Sequence, residues 1–98
     1  MKPLVARLDK ELKKNDGKIS FKFIENEVEE FSTVKHFHLT SNTRVCVIRL
    51  ESGHEVIGIA QVLDAKNDNE EIGQSVAFKN AREELWSVFG NIAKVLQA

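Results

Sequence analysis

Few residues in the chain have the type and spacing to do chemistry. His36 and His38 are two apart, so a strand would project both from one face as half of a metal site. His54, Glu51 and Glu55 lie in the next hairpin, but a further ligand at a telling spacing is missing. Three surface or half-buried histidines are the better reading, and no metal is expected. Cys46, the one cysteine, sits between Val45 and Val47. An apolar strand would bury it and raise its pKa, whereas a nucleophile needs exposure and a nearby cation or base. The sequence contains no G-x-S-x-G, no phosphate-binding loop and no G-x-G-x-x-G. A helix starting after Asp68 has free N–H groups for a phosphate, but Glu70 and Glu71 already place negative charge there. No catalytic residue and no cofactor is assigned, and the chain reads as a non-enzyme.

Binding is the chemistry that remains. Arg7, Lys10, Lys13 and Lys14 make one side of the first segment basic. Trp86 is the only tryptophan, and on a helical projection Phe78, Trp86 and Phe89 fall beside the main apolar stripe. They are either the edge of the core or an exposed anchor of the kind that dominates interface energetics. Lys35, Arg44 and Arg49 lie on predicted strands without interleaved exposed aromatics, a weak case for nucleic acid.

Length and composition bound the rest. With 98 residues, 42% hydrophobic and 30% charged, the chain fits one small globular core. A net charge of −1 argues against a strong general nucleic-acid binder. The charge is uneven: residues 1 to 22 carry seven Lys or Arg against three acids, and residues 23 to 98 carry seven against twelve. The lone cysteine excludes an intramolecular disulfide framework. No apolar run approaches the ~20 residues that span a bilayer. Charges interrupt the N-terminus too early for a signal peptide. An intracellular protein is expected.

The elements that must position these residues follow from periodicity. Leu4, Val5, Leu8 and Leu12 predict an amphipathic helix from Pro3 to about Lys14, stopped by Asn15-Asp16-Gly17. It either docks on its own domain or offers its stripe to a partner or a second copy. Ile19, Phe21 and Phe23 alternate as in a strand, but Phe21, Ile24, Val28 and Phe31 recur as in a helix. A second helix is therefore expected from the cap Ser20 to Phe31, with Glu25, Glu27, Glu29 and Glu30 on solvated faces or, alternatively, forming an acidic patch for a basic partner. Strands are expected over Val34 to Thr40, Arg44 to Leu50 and Glu55 to Leu63 in an antiparallel meander, with Phe37 and Leu39 facing opposite to His36 and His38. Gly58 suggests a bulge or a close approach by a helix.

The long C-terminal helix is expected to begin at the cap Asp68, answered by Glu71, and to bury Ile72, Val76, Ala77, Ala81, Leu85, Val88, Ile92, Val95 and Leu96. Gly73 reads as tight packing against a strand. Unbroken to Ala98 the helix would extend about 45 Å, longer than such a domain is wide, so it should bend at Gly90 or project its last turns toward a partner. The expected fold is α+β: N-terminal helices, a three-stranded antiparallel sheet and a long C-terminal helix packed on it. Residues 1–18 read as a basic helical extension to a domain of residues 19–98.

The order CVIRLESGHEVIG, AQVLDAKNDNEEIG, then SVAFKNAREELW with Gly90 beyond, resembles a family of small tailed-phage proteins of unknown function, gene-49-like and gene-66-like. The matching positions are Cys46, Gly53, Val56, Gly58, Asp64, Asn67, Glu71, Ile72, Gly73, Ala77, Ala81, Trp86 and Gly90, and the likeness runs from about Phe21 to Leu96. Here Ile59-Ala60-Gln61 replaces the family's small-residue and Cys segment, and the basic helix is an addition. The resemblance implies a phage or prophage origin, an accessory role in the host cytoplasm and a shared βββα architecture, and brings no catalytic residues.

The expected function is therefore a non-enzymatic phage protein that binds and blocks a host protein, in the manner of a host-defence inhibitor. Arg7, Lys10, Lys13, Lys14, Trp86 and Phe89 are its candidate contacts. The alternative is a small oligomer, for which a homodimer is one candidate, that sequesters a nucleotide or other small ligand between subunits, with Arg44, Arg49 and Arg82 available to hold it. A small DNA-binding protein is the third.

Overall fold

A computed structural model describes residues 3–62 and 69–98. Its elements are α1 (Pro3–Lys14), α2 (Phe21–Phe31), β1 (Ser32–Thr40), β2 (Thr43–Leu50), β3 (Glu55–Gln61) and α3 (Glu70–Leu96). The strands form one antiparallel sheet in the order β1-β2-β3. The fold is α+β, with two N-terminal helices, a three-stranded meander and a long helix packed on it.

α3 is the spine. Its 27 residues form one helix through Gly90, in a molecule measuring 48 × 22 × 20 Å. It runs on through Gly90, and in its last turns Ala93 is buried and Leu96 packs against the core while Val95 is exposed. The sheet, through β2 and β3, covers its N-terminal half, while α1 and α2 pack on its C-terminal half. Asn69 caps it by accepting a hydrogen bond from the Ile72 N–H at 3.0 Å. The cap is thus one position later than expected, and Asp68 and Leu63 lie outside the described residues.

The buried stripe of α3 differs in phase from the expected one. Gly73, Ala77, Ala81, Leu85, Phe89 and Ala93 are buried at four-residue spacing, whereas Ile72, Val76 and Val95 are exposed by 63%, 43% and 76%. The reason is Gly58. Its missing side chain lets the α3 backbone lie directly on β3, and a Cβ there would overlap the Ala77 carbonyl oxygen and the Ala81 nitrogen. Small residues on the helix complete the close approach, and pairing of Cys46 with Gly58 is regular, without a bulge. Gly73 likewise makes room, for the Arg44 side chain.

α1 ends where Asp16 and Gly17 take φ of 56° and 80°. The Gly17 N–H donates to the Leu12 carbonyl at 2.7 Å, closing the helix through left-handed residues. Leu4, Leu8 and Leu12 are buried in the same core as Ile24, Val28, Leu85 and Phe89. Ser20 caps α2 as expected, accepting from the Phe23 N–H, while its own N–H and hydroxyl donate to the Glu11 carboxylate of α1. In the sheet, Cys46, Ile48, Leu50, Val56, Gly58 and Ala60 face the helices. β1 begins at Ser32, two residues earlier than expected, and β3 ends at Gln61.

Candidate functional site

Arg7 and Glu27 do not occupy the surface roles their sequence suggests. The Arg7 guanidinium donates to both carboxylate oxygens of Glu27, at 2.7 and 2.8 Å, and to Glu51 at 2.7 Å. Its central carbon lies 3.5 Å from the centre of the Phe31 ring. Glu27 is 2% exposed, so one of the four acids expected in solvent is buried beneath α1. Chiefly through the Glu27 hydrogen bond, the Arg7 pKa is pushed still above its ordinary value. Arg7 thus ties α1 to α2 and to the turn after β2. The basic face is reduced to Lys10, Lys13 and Lys14, all exposed, with Lys13 3.0 Å from Asp9 one turn away.

Phe89 is also removed from the candidate contacts. It is fully buried, edge-on to Phe23 with ring centroids 5.8 Å apart, a favourable aromatic geometry. Trp86 is partly buried against the core. Phe78 and Phe21 instead flank Arg82, whose guanidinium carbon is 5.4 and 4.8 Å from their centroids, within reach of cation–π attraction.

Register sets His36 opposite Cys46 on the helix side of the sheet. Cys46 is wholly buried, and desolvation pushes its thiol pKa up, as expected for a core cysteine. His36 and His38 point to the helix side beyond the cover of α3, beside a hollow of about 240 Å³ shared with Arg44, Glu70 and Gln74. Among the described residues, no group of three or more His, Cys, Asp or Glu could hold a metal ion. The three arginines considered for a shared anion do not converge: Arg44 lies against Gly73, Arg49 is on the opposite sheet face, and Arg82 is between two phenyl rings.

The surface that stands out is the sheet face turned away from α3. Strand register arranges it in rows across β1, β2 and β3: Thr33, Arg49, Glu55; then Lys35, Val47, Ile57; then Phe37, Val45, Ile59. Leu39 follows on β1. Phe37, Leu39, Ile57 and Ile59 are exposed by 51%, 69%, 55% and 51%, and Val45 and Val47 between them are partly buried. Lys35 and an Arg49–Glu55 ion pair at 3.0 Å bound one end. A hollow of about 240 Å³ is floored by Phe37, Val47 and Ile57 and rimmed by Lys35, Arg49 and Glu55. The outward side of a meander is normally polar, and an apolar patch of this kind marks an interaction surface.

Sequence reasoning missed this face although a signal was present. In EVIGIAQ the small residues Gly58 and Ala60 face inward and the large Ile57 and Ile59 outward. A strand apolar on both faces requires two covers, and the helices supply one.

A model of the Phage protein (N4 Gp49/phage Sf6 gene 66) family matches residues 19–95, from just before α2 to the last turn of α3. The chain belongs to that family. No curated protein and no solved structure matches it. Among the described residues, no helix is long and apolar enough to cross a membrane.

Proposed function

We propose that this phage protein carries out no chemistry of its own and acts in the host cytoplasm by binding a host protein and blocking it, with the outer face of its sheet as the docking surface. The observation that supports this reading is the cluster of Phe37, Leu39, Ile57 and Ile59, each at least half exposed around Val45 and Val47. Such a cluster, framed by Lys35, Arg49 and Glu55, has the apolar centre and polar rim of a protein interface. Lys10, Lys13 and Lys14 of α1 and the partly buried Trp86 remain secondary candidate contacts.

The test is affinity capture from lysate of a bacterial host, comparing the wild-type chain with Ile59→Lys and with a triple alanine replacement of Lys10, Lys13 and Lys14. A stoichiometric host protein lost with Ile59→Lys supports the sheet face. Loss with the lysine variant alone moves the contact to α1, and capture unchanged in both removes the docking reading.

A further inference from the structure

We propose that Arg82 and the aromatic rings around it form a second contact site, which takes an acidic side chain on an apolar segment of a partner protein. The site is on α3, on the helix side of the molecule, and stands whether or not the outer sheet face binds a host protein. Its starting point is an arginine with unused donors. Arg7 and Arg49 are held by carboxylates at 2.7 and 3.0 Å. Among the described residues, Arg82 forms no ion pair and donates no hydrogen bond, and its guanidinium is held by the rings of Phe21 and Phe78. Its Nε is buried without a partner, whereas neither Nη nitrogen is closed off in this way. A charge partly withdrawn from water and left without a counter-charge is costly and uncommon. The rings fix the planar cation without using its N–H groups. What remains is the forked Nη edge, which matches the two oxygens of a carboxylate.

The surroundings define the rest of the occupant. Phe78, Arg82 and Trp86 follow one another at four-residue spacing on α3, one position round from the buried Ala77, Ala81 and Leu85, and each is partly exposed. Phe21, at the start of α2, adds a ring that is 45% exposed. Trp and Arg are the residues that most often anchor protein interfaces. From position 78 to position 86 the lane is about 12 Å long at 1.5 Å per residue. An extended chain of about four residues covers that length, so a peptide segment fits it better than a small carboxylic acid. The charges select a carboxylate over a phosphate or a nucleic acid. Lys79, one turn before Arg82, and Lys22, beside Phe21, are offset by Glu83 and Glu25, and all four are exposed. Nucleic acid draws its affinity from clustered positive charge. One unpaired guanidinium in a balanced surround suits a single carboxylate.

The probe is a display library of short random peptides, selected on the immobilised full chain. Enriched peptides should carry Asp or Glu beside apolar residues. A synthetic representative should shift the emission of Trp86, the only tryptophan. Its affinity should fall by about tenfold or more with Arg82→Gln, and equally with Arg82→Lys, which keeps the charge but not the fork. Replacing the peptide's acid by its amide should do the same. Arg82→Lys keeps an aliphatic stem to pack beside the rings, so lost binding with an unchanged far-ultraviolet spectrum is not lost folding. Enriched peptides without acids, a selection that enriches nothing, or acidic peptides held equally by Arg82→Gln would each overturn the proposal. Displacement of the peptide by inorganic phosphate at equal concentration would also overturn it, in favour of a phosphate site. Peptides lost with Ile59→Lys and kept by Arg82→Gln belong to the outer sheet face. That outcome overturns this site and leaves the host-binding reading standing. Peptides lost only with the Arg82 variants establish the site even where host capture proves independent of Ile59.

Discussion

Arg7 on α1 holds Glu27 on α2 through two hydrogen bonds, and Glu27 is among the least exposed side chains of the molecule. A residue that reads as a basic contact for a partner is thereby the internal fastening of the first helix. Removing one member of a buried pair leaves an uncompensated charge, at about 3–5 kcal/mol. The Arg7 side chain is itself 24% exposed, so Arg7→Ala should lie near the lower end. Glu51→Gln, at the exposed end of the same guanidinium, should cost under about 1 kcal/mol. Urea unfolding of the two variants measures both. Equal losses would show that Glu27 is not the anchoring partner.

The leucines of α1 make the same point without charge. Leu8 is fully buried, in one core with Leu85 and Phe89. Leu8→Ala should cost about 2–5 kcal/mol. A loss below ~1 kcal/mol, read from the same unfolding curves, is the size of a surface change and would mean that α1 is a detachable extension to residues 19–98.

Two glycines should respond in opposite directions. Gly58→Ala puts a methyl group into the α3 backbone at Ala77 and Ala81, where neither side can yield as a flexible side chain would. A loss of about 3 kcal/mol or failure to fold is expected. Gly90 lies within α3 with nothing within 4 Å of an added Cβ. Gly90→Ala should therefore raise the melting temperature, by the equivalent of up to ~1 kcal/mol. A stabilised Gly58→Ala would contradict the close contact between helix and strand.

Cys46 supplies a pH signature. Burial raises the thiol pKa in the folded state above the ordinary value of 9.0. Its contribution to stability is therefore fully present below that unfolded value and is lost as pH rises above it and the unfolded thiol ionises. Stability should fall through that window in the wild type and less in Cys46→Ala. A thiol reagent should label the native protein only as fast as it opens. Immediate labelling at neutral pH would place the thiol at the surface.

Much of the fold was legible because its signals are local. The Ser20 cap, the Asn15-Asp16-Gly17 stop and the leucines of α1 each act within a few residues. The phase of the α3 stripe was not legible from hydrophobicity, which favours Ile72 and Val76, because Gly58 on another element rewards small residues at Ala77 and Ala81. Glu27 looked like its solvated neighbours until a guanidinium 20 residues earlier in the chain was placed above it. The candidate site was hardest to read. The exposure of Ile57 and Ile59 depends on which side of the sheet the helices choose, and two apolar faces on one strand do not say which is left bare.

Host binding through the sheet is read out by a photo-crosslinkable side chain at position 59, on the outer face, irradiated during infection. A covalent adduct with one host protein, competed by untagged wild-type chain, is expected. No adduct, or adducts confined to copies of the same chain, would contradict host binding through the sheet.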